Sequence, residues 1–251
     1  MKVMKFGGTS VGSPQRMKNV VGLIADGEQN LVVLSAMSGT TNSLLEIADY
    51  LYKQNQEGAN ACINKLEDKY KAHIDELYST DEYKHQTNLI IQNVFNHIRL
   101  QAKGVFTEKE EKIIVAQGEI LSTNMVTNYL LEQGYNAVLL PALDFMRTNE
   151  DGEPDQKYIQ EQLLKQLAVD PNKDIYITQG FVCLNAAGDI DNLQRGGSDY
   201  TASLVGGALC ASEIQIWTDI DGMHNNDPRF VENTTPVSHL HFVEAAELAY
   251  F

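Results

Sequence analysis

Residues 5–12, Lys-Phe-Gly-Gly-Thr-Ser-Val-Gly, place a lysine and three glycines within one short stretch. Glycine has no Cβ atom, so the backbone can approach an anion closely and direct several N–H groups at it. Lys5 stands at the carboxyl end of a predicted strand, just before this turn, and can reach the same anion. The stretch therefore indicates a phosphate site, although a plain strand and tight turn with an exposed lysine would carry the same residues.

Two common nucleotide-binding motifs do not match this turn. The spacing of Gly7 and Gly12 is that of a P-loop, but Ser13-Pro14 stands in place of its Lys-Ser/Thr pair. Thr9 stands where the dinucleotide-binding fingerprint needs a second glycine. A phosphate bound here must be held in another way.

A second cluster begins at Arg195 and continues through two glycines to Ser198 and Asp199. It precedes a helical pattern that extends to about Ala211. Ser198 or Asp199 can cap this helix, and the glycines allow the backbone to form an anion-binding nest. An arginine at this place is suited to hold a carboxylate or a phosphate with two hydrogen bonds. We favour this interpretation over a helix that is merely capped, because capping alone needs fewer of these residues.

A third cluster follows an apolar strand that ends at Trp217. Thr218, Asp219 and Asp221 come next, at the carboxyl edge of the predicted sheet, where open α/β sheets bind their ligands. A calcium-binding loop is excluded, because no glutamate closes the segment at the required position. Two glycine-rich anion sites and an acidic loop together favour phosphoryl transfer, a reaction that depends on positioning and on charge neutralisation.

Two more segments concern the molecule that accepts the phosphoryl group. Ser35, Thr40 and Thr41 lie between a predicted strand and a predicted helix, and their hydroxyl groups can bind a polar ligand. Glu119 lies in a helix whose other positions are apolar. A glutamate on a buried face needs a cationic or N–H partner, so it forms either an ion pair in the core or a contact with an ammonium group of the ligand.

Strands and helices alternate along the chain, which predicts a mostly parallel sheet covered on both faces. The predicted strands are Lys2–Phe6, Leu31–Ala36, Tyr135–Leu140, Ile175–Val182 and Glu213–Trp217. Residues 54–104 show only helical patterns, and we interpret them as an insertion or a lid over one edge of the sheet. Gly, Asn and Asp residues around 185–191 predict a hairpin.

The composition of the 251 residues limits the possible partners. No apolar run approaches the roughly 18 residues of a membrane span, and no secretory signal opens the chain. Three widely spaced cysteines are typical of a reducing compartment, so we expect a cytoplasmic protein without membrane contacts. A net charge of −15 disfavours nucleic acid as a partner. The scattered histidines and cysteines do not predict a metal site.

The motifs taken together resemble those of the aspartokinases. The matching stretches, in the family's order and separation, are Lys5–Val11, Leu34–Ala36, Thr41-Asn42, Gly118-Glu119, Met146–Asn149, Gly196–Tyr200, Trp217–Asp219 and Asp227–Arg229. This family uses ATP to phosphorylate the β-carboxylate of L-aspartate, the first step in lysine, methionine and threonine biosynthesis. The resemblance covers the chain from end to end. It implies the amino-acid-kinase fold, an α/β three-layer αβα sandwich around a mainly parallel sheet.

The resemblance also implies a role for each motif. Lys5 neutralises charge on the transferring phosphoryl group and Asp199 positions Lys5, so these are the two expected catalytic residues. The residues implied for phosphate and ATP are Gly7, Gly8, Ser10, Thr218, Asp219, His224 and Arg229. Those implied for aspartate are Ser35 and Thr41, Glu119 on the ammonium group, and Arg195 and Ser198 on the α-carboxylate. Mg²⁺ is expected on the phosphates of ATP, and the parent protein is expected to be a homo-oligomer.

The chain departs from the family pattern in two residues and in length. His224 replaces a frequent tyrosine, and Gln194 replaces a glycine. Family members continue beyond the last residue of this chain. We therefore expect residues 1–251 to be a kinase domain that is incomplete at its carboxyl end, contains a helical insertion at about 54–104 and lacks the regulatory ACT domains. Weak ATP binding and poor turnover are expected from this.

Two other functions remain open at this point. Acetylglutamate and glutamate 5-kinases share the fold, but Trp217–Asp219 and Lys5–Ser10 favour aspartate as the substrate. A non-catalytic sensor of amino acids or nucleotides would use the same pockets. Lys5 and Asp199 together favour catalysis, since binding alone does not require a lysine that faces the phosphoryl group.

Overall fold

The computed structural model describes residues 1–193, 196–227 and 230–250. Its strands are β1 (Lys2–Phe6), β2 (Asn30–Leu34), β3 (Ala137–Leu139), β4 (Ile175–Gln179), β5 (Val182–Leu184), β6 (Ile190–Asn192) and β7 (Ile214–Trp217). Its α-helices are α1 (Pro14–Ile24), α2 (Thr40–Tyr52), α3 (Gln56–Leu77), α4 (Asp81–Gln101), α5 (Glu108–Glu132), α6 (Gln156–Val169), α7 (Gly197–Ala208) and α8 (Phe242–Tyr250). The chain divides into two units, Met1–Trp217 and Thr218–Phe251.

The first unit is built on a parallel sheet with the strand order β3-β4-β2-β1-β7. Phe6 pairs with Leu34 on one side and with Trp217 on the other, and Leu34 pairs with Gln179. These four residues are the last of their strands, so the following loops leave the sheet at one edge. In open parallel sheets this carboxyl edge is where ligands bind.

Alternate residues of the strands face two separate cores. Met4 and Phe6 of β1 pack with the apolar residues of α1 to α5 on one face of the sheet. Val3 packs with α6 and α7 on the other face. Both faces are covered, which explains why the central strands are almost continuously apolar. Lys5 lies two residues after Val3 and therefore points to the face that α7 covers.

Residues 54–104 contain the long helices α3 and α4, as the helical pattern predicts. These two helices pack against each other, α3 also contacts α1 and α2, and α4 contacts α5. They therefore form a second helical layer on the face of the sheet that carries α1, α2 and α5. That this segment is an insertion stays a prediction.

The predicted strand Ile175–Val182 is wrong at its carboxyl end. β4 stops at Gln179, the chain turns at Gly180 and Phe181, and β5 begins at Val182. The apolar run continues through this turn because both strands are buried, so hydropathy alone does not mark the break. The hairpin predicted around residues 185–191 is confirmed, since β5 and β6 pair in antiparallel fashion. Within the described residues, no helix combines the length and the apolar character that crossing a membrane requires.

Candidate functional site

A cavity of about 400 Å³ opens at the carboxyl edge of the parallel sheet. The loops after β1, β2 and β4 form its walls, together with α5 and the first turn of α7. Half of the residues predicted for catalysis and binding line it, namely Lys5, Gly8, Ser35, Thr41, Glu119, Ser198 and Asp199. These residues come from four separate segments of the chain.

Lys5 and Asp199 form an ion pair inside this cavity. Lys5 Nζ lies 2.7 Å from Asp199 Oδ1, and the lysine side chain is largely buried while the aspartate is half exposed. The contact has the distance of an ion pair without the angles of a hydrogen bond. Asp199 therefore holds the Lys5 ammonium group at the cavity wall. The N–H donors of this ammonium group remain available for a ligand.

Glu119 is buried in α5, with only 4% of its surface exposed. Its Oε1 accepts a hydrogen bond from the Ala36 N–H at 3.1 Å. Its Oε2 is buried as well and has no hydrogen-bond partner among the described residues. Burial raises the pKa of Glu119 to about 7, and the hydrogen bond from Ala36 opposes this rise only in part. A carboxylate in this position needs a cation to be stable when ionised.

Ser35 and Ser198 bring two hydroxyl groups together at the cavity wall. The Ser35 hydroxyl donates to Ser198 Oγ at 2.9 Å. A Cβ atom at position 180 would lie 2.5 Å from Ser198 Oγ, so only glycine fits there. The prediction that Ser198 or Asp199 caps α7 is wrong, because the N-cap is Gly196 and no side chain caps the helix. The Ser198 side chain instead faces Ser35 and the cavity.

The glycine turn after β1 packs directly on the loop after β2. A Cβ atom at Gly8 would lie 2.6 Å from the carbonyl oxygen of Ala36, so the close approach requires glycine. The Ser38 N–H donates to the Gly8 carbonyl at 3.0 Å. Gly7 is adjacent to the Lys5 ammonium, and its carbonyl accepts from the Ser10 N–H at 3.0 Å. Gly7 and Ser10 thus shape the turn, while Gly8 contributes to the cavity itself.

The residues of the third cluster that are predicted to contact ATP belong to the unit Thr218–Phe251. There, the Thr218 hydroxyl donates to Asp219 Oδ1 at 3.3 Å. His224 lies between Asp221, at 2.6 Å from its Nε2, and Thr234, at 2.9 Å from its Nδ1. The hydrogen bond with His224 lowers the pKa of Asp221.

Two predicted arginines cannot be placed. Arg195, predicted for the α-carboxylate of aspartate, and Arg229, predicted for ATP, lie outside the described residues. Their roles, and those of Thr218, Asp219 and His224 towards ATP, stay predictions.

The structure adds cavity residues that the sequence did not single out. Phe181 lines the wall and has a backbone φ of +67°, which is unusual for a residue other than glycine. Its N–H donates to Thr201 Oγ1 at 3.0 Å, and this bond holds the turn between β4 and β5. Ser38 and Gly39 also line the cavity. In the sequence, Gly180 indicates the turn that contains Phe181, but the prediction of one continuous strand from Ile175 to Val182 ignored this glycine.

A family model and several known proteins match this chain over all or nearly all of its length. The sequence model described as the amino acid kinase family matches residues 1–251. Lysine-sensitive aspartokinase 3 of Escherichia coli (strain K12) is 32% identical over 253 residues, which are 99% of this chain and 56% of that protein. The chloroplastic aspartokinase 1 of Arabidopsis thaliana is 34% identical over 99% of this chain and 45% of its own length. The chain spans about half the length of these curated relatives.

A solved structure shows the same fold. The crystal structure of E. coli aspartokinase III in complex with aspartate and ADP superposes with a TM-score of 0.87 at 32% identity. The match covers 100% of this chain and 56% of that one. The parallel sheet with helices on both faces is therefore the fold found in that aspartokinase structure, as the sequence predicts.

Proposed function

Since the chain belongs to the amino acid kinase family, we propose that it phosphorylates the β-carboxylate of L-aspartate with ATP, giving 4-phospho-L-aspartate and ADP. Two relatives are aspartokinases, and the matching E. coli structure was solved with aspartate and ADP. The chain spans about half the length of these relatives, so the activity of the whole protein is part of the proposal. The product enters lysine, threonine and methionine biosynthesis.

Glu119 Oε2 is the observation that carries the proposal. A buried carboxylate oxygen without a partner is unfavourable, and it becomes favourable when a cation binds beside it. The ammonium group of an α-amino acid is such a cation, and the cavity of about 400 Å³ has room for a small amino acid and a phosphoryl group. An N-acetylated amino acid has no ammonium group and would leave Glu119 unpaired.

Ser35 and Ser198 are proposed to offer hydroxyl groups to the α-carboxylate. Ser35 and Ser198 already contact each other and can donate to a carboxylate oxygen instead. Arg195 is predicted to complete this contact. Thr41 lines the wall next to Ser35 and is proposed to contact the same substrate. With Glu119, these residues recognise both charges of the amino acid backbone and leave the side-chain carboxylate for the reaction.

The phosphoryl group is proposed to move within reach of Lys5. A free aspartate side chain has a pKa near 3.9, so its carboxylate is ionised at neutral pH and needs no general base. One carboxylate oxygen forms a bond to the γ-phosphorus of ATP while the bond from that phosphorus to the bridging oxygen of ADP breaks. Lys5 neutralises the phosphoryl oxygens, Asp199 keeps Lys5 in place, and the glycine turn contributes N–H groups.

Magnesium is proposed to arrive with ATP. Among the described residues no group of three or more His, Cys, Asp or Glu side chains is arranged to hold a metal ion. Mg²⁺ in kinases is bound largely by phosphates and water, with one or two protein carboxylates. Asp199 is half exposed beside the cavity and fits this requirement. A cytoplasmic location and a homo-oligomeric state also stay proposals.

An assay of ADP release tests the proposed reaction. The protein is supplied with Mg²⁺-ATP and, in separate reactions, L-aspartate, L-glutamate or N-acetyl-L-glutamate, and hydroxylamine traps the acyl phosphate. We expect turnover with aspartate, and a kcat/KM for glutamate lower by about 10- to 200-fold, the usual effect of one methylene. Equal rates with glutamate, or binding of aspartate without any ADP release, would contradict the proposal.

A further inference from the structure

Lys69 of α3 reaches the loop that forms one wall of the cavity. Its Nζ donates to the carbonyl oxygen of Ser38 at 3.1 Å. It also lies 4.0 Å from the place where a Cβ atom of Gly39 would be. Ser38 and Gly39 both line the cavity, while Lys69 stands behind them in the second helical layer.

The next residue of α3 holds the next part of the same loop. The hydroxyl groups of Tyr70 and Thr40 are 3.0 Å apart, and both residues are fully buried. Thr40 is the first residue of α2, and Thr41, which lines the cavity, follows it. Two consecutive residues of α3 therefore anchor the loop at two points.

Ser38 connects the anchored loop to the glycine turn through its backbone hydrogen bonds. Its carbonyl accepts from Lys69, and its own N–H donates to the Gly8 carbonyl at 3.0 Å. Movement of Ser38 must therefore change the position of Gly8 or break this hydrogen bond. Gly8 lines the cavity beside Lys5, where the phosphoryl group is proposed to be transferred.

The Lys69 ammonium group lacks the carboxylate partner that Lys71 of the same helix has. Lys71 forms an ion pair with Glu67 at 2.9 Å. No carboxylate of the described residues lies within ion-pair distance of Lys69. Lys69 is also partly buried, and this burial lowers its pKa. A lysine that served only solubility would extend into water, so the position of Lys69 indicates a use for its hydrogen bond.

We propose that Lys69 is a positioning residue for phosphoryl transfer, which holds the Ser38 carbonyl and thereby sets the distance between the loop after β2 and the glycine turn. The effect on turnover rests on the proposed aspartate kinase function. The effect on the loop does not, so the two can be tested separately. Residues 54–104, for which the sequence predicts an insertion, thus support the cavity wall.

Hydrogen exchange tests the structural part. Lys69→Met keeps the length of the side chain and removes the donor, and Lys65→Met removes an exposed lysine one turn earlier on the same helix as a control. We expect the amides of residues 38–43 to exchange about 5- to 10-fold faster in Lys69→Met than in the wild type, and Lys65→Met to match the wild type. Unchanged exchange in this segment, or faster exchange spread along α3, would overturn the proposal.

Kinetics test the catalytic part. In Lys69→Met we expect kcat to fall about tenfold while the KM for aspartate changes less, because Glu119, Ser35 and Ser198 lie outside the anchored residues. Lys69→Arg, which keeps a donor, should recover most of kcat. A normal kcat in Lys69→Met, or the same loss in Lys65→Met, would show that Lys69 has no positioning role. A wild-type protein without aspartate-dependent turnover would refute the proposed function, and the exchange experiment would still decide whether Lys69 holds the loop.

Discussion

Replacing Glu119 by Gln removes the buried charge while keeping the size of the side chain. The amide oxygen can still accept the hydrogen bond from the Ala36 N–H that Oε1 accepts in the wild type. The group at the position of Oε2 becomes neutral, so it no longer requires a cation. The substitution therefore separates the effect of charge from the effect of packing.

The expected stability change follows from the pKa of Glu119. This pKa is about 7 in the folded protein, raised by burial, against an ordinary value of 4.5. Between these two values the folded state binds more protons than the unfolded state, so the free energy of unfolding falls as the pH rises. The fall is nearly complete above pH 7 and amounts to about 3 kcal/mol. The folded and ordinary pKa values differ by about 2.5, and each pKa unit corresponds to about 1.4 kcal/mol. About 2 kcal/mol of this lies between roughly pH 5.5 and pH 8.5.

Urea unfolding at these two pH values measures the effect. The wild type should lose about 2 kcal/mol more than Glu119→Gln between roughly pH 5.5 and 8.5, and the pH-independent effects of the amide cancel in this comparison. Glu161→Gln, which removes an exposed carboxylate from α6, should follow the wild type. An identical pH dependence in Glu119→Gln and the wild type would refute the reasoning, because Glu119 would then ionise in the folded protein without a penalty.

Titration with aspartate tests the ligand side of the same residue. The ammonium group should lower the pKa of Glu119, so that binding near pH 7 releases protons to the buffer. Calorimetry in two buffers with different ionisation enthalpies detects this release, which Glu119→Gln should lack. The variant should also bind aspartate at least tenfold more weakly, since a charge-assisted contact contributes about 1.5–3 kcal/mol. Equal affinity in the two proteins would exclude Glu119 as the ammonium ligand.

Three further substitutions test other parts of the proposed site. Lys5→Ala should lower kcat strongly and leave the KM for aspartate nearly unchanged, because the charge it neutralises develops during transfer; steady-state kinetics that show only a raised KM would contradict this. Gly180→Ala should destabilise the fold by about 1–3 kcal/mol in urea unfolding and raise the KM for aspartate, because its Cβ would meet Ser198 at 2.5 Å. Gly207→Ala, with open space around the new methyl group, is its control and should be neutral or slightly stabilising. Arg195→Ala should raise the KM for aspartate and lower kcat/KM tenfold or more, and normal aspartate kinetics would remove Arg195 from the proposed site.

Local patterns in the sequence determined the strands and helices and the edge of the sheet at which the candidate site residues lie. Alternation of apolar strands and helices predicted the parallel sheet, because only a sheet buried on both faces has such apolar strands. The sequence predicted a phosphate site at Lys5 and the glycine turn. This was possible because the end of a strand and a tight turn are formed by residues that are neighbours in the chain. The same local rules failed at Gly180, where two buried strands meet and the apolar run does not stop.

Only the tertiary structure decided which residues meet. The resemblance implies that Asp199 positions Lys5, but the spacing of the two residues does not explain the contact; it forms because α7 packs on the face of β1 that Val3 and Lys5 share. The sequence left open whether Glu119 forms an ion pair in the core or contacts an ammonium group of the ligand. The answer depends on which groups the other helices and strands place beside its carboxylate. The fold supplies the Ala36 N–H to one carboxylate oxygen and no partner to the other among the described residues. Lys69 gave no sequence signal at all, because a lysine on a helix is usually solvated, and it gains its place only from the packing of α3 behind the loop after β2.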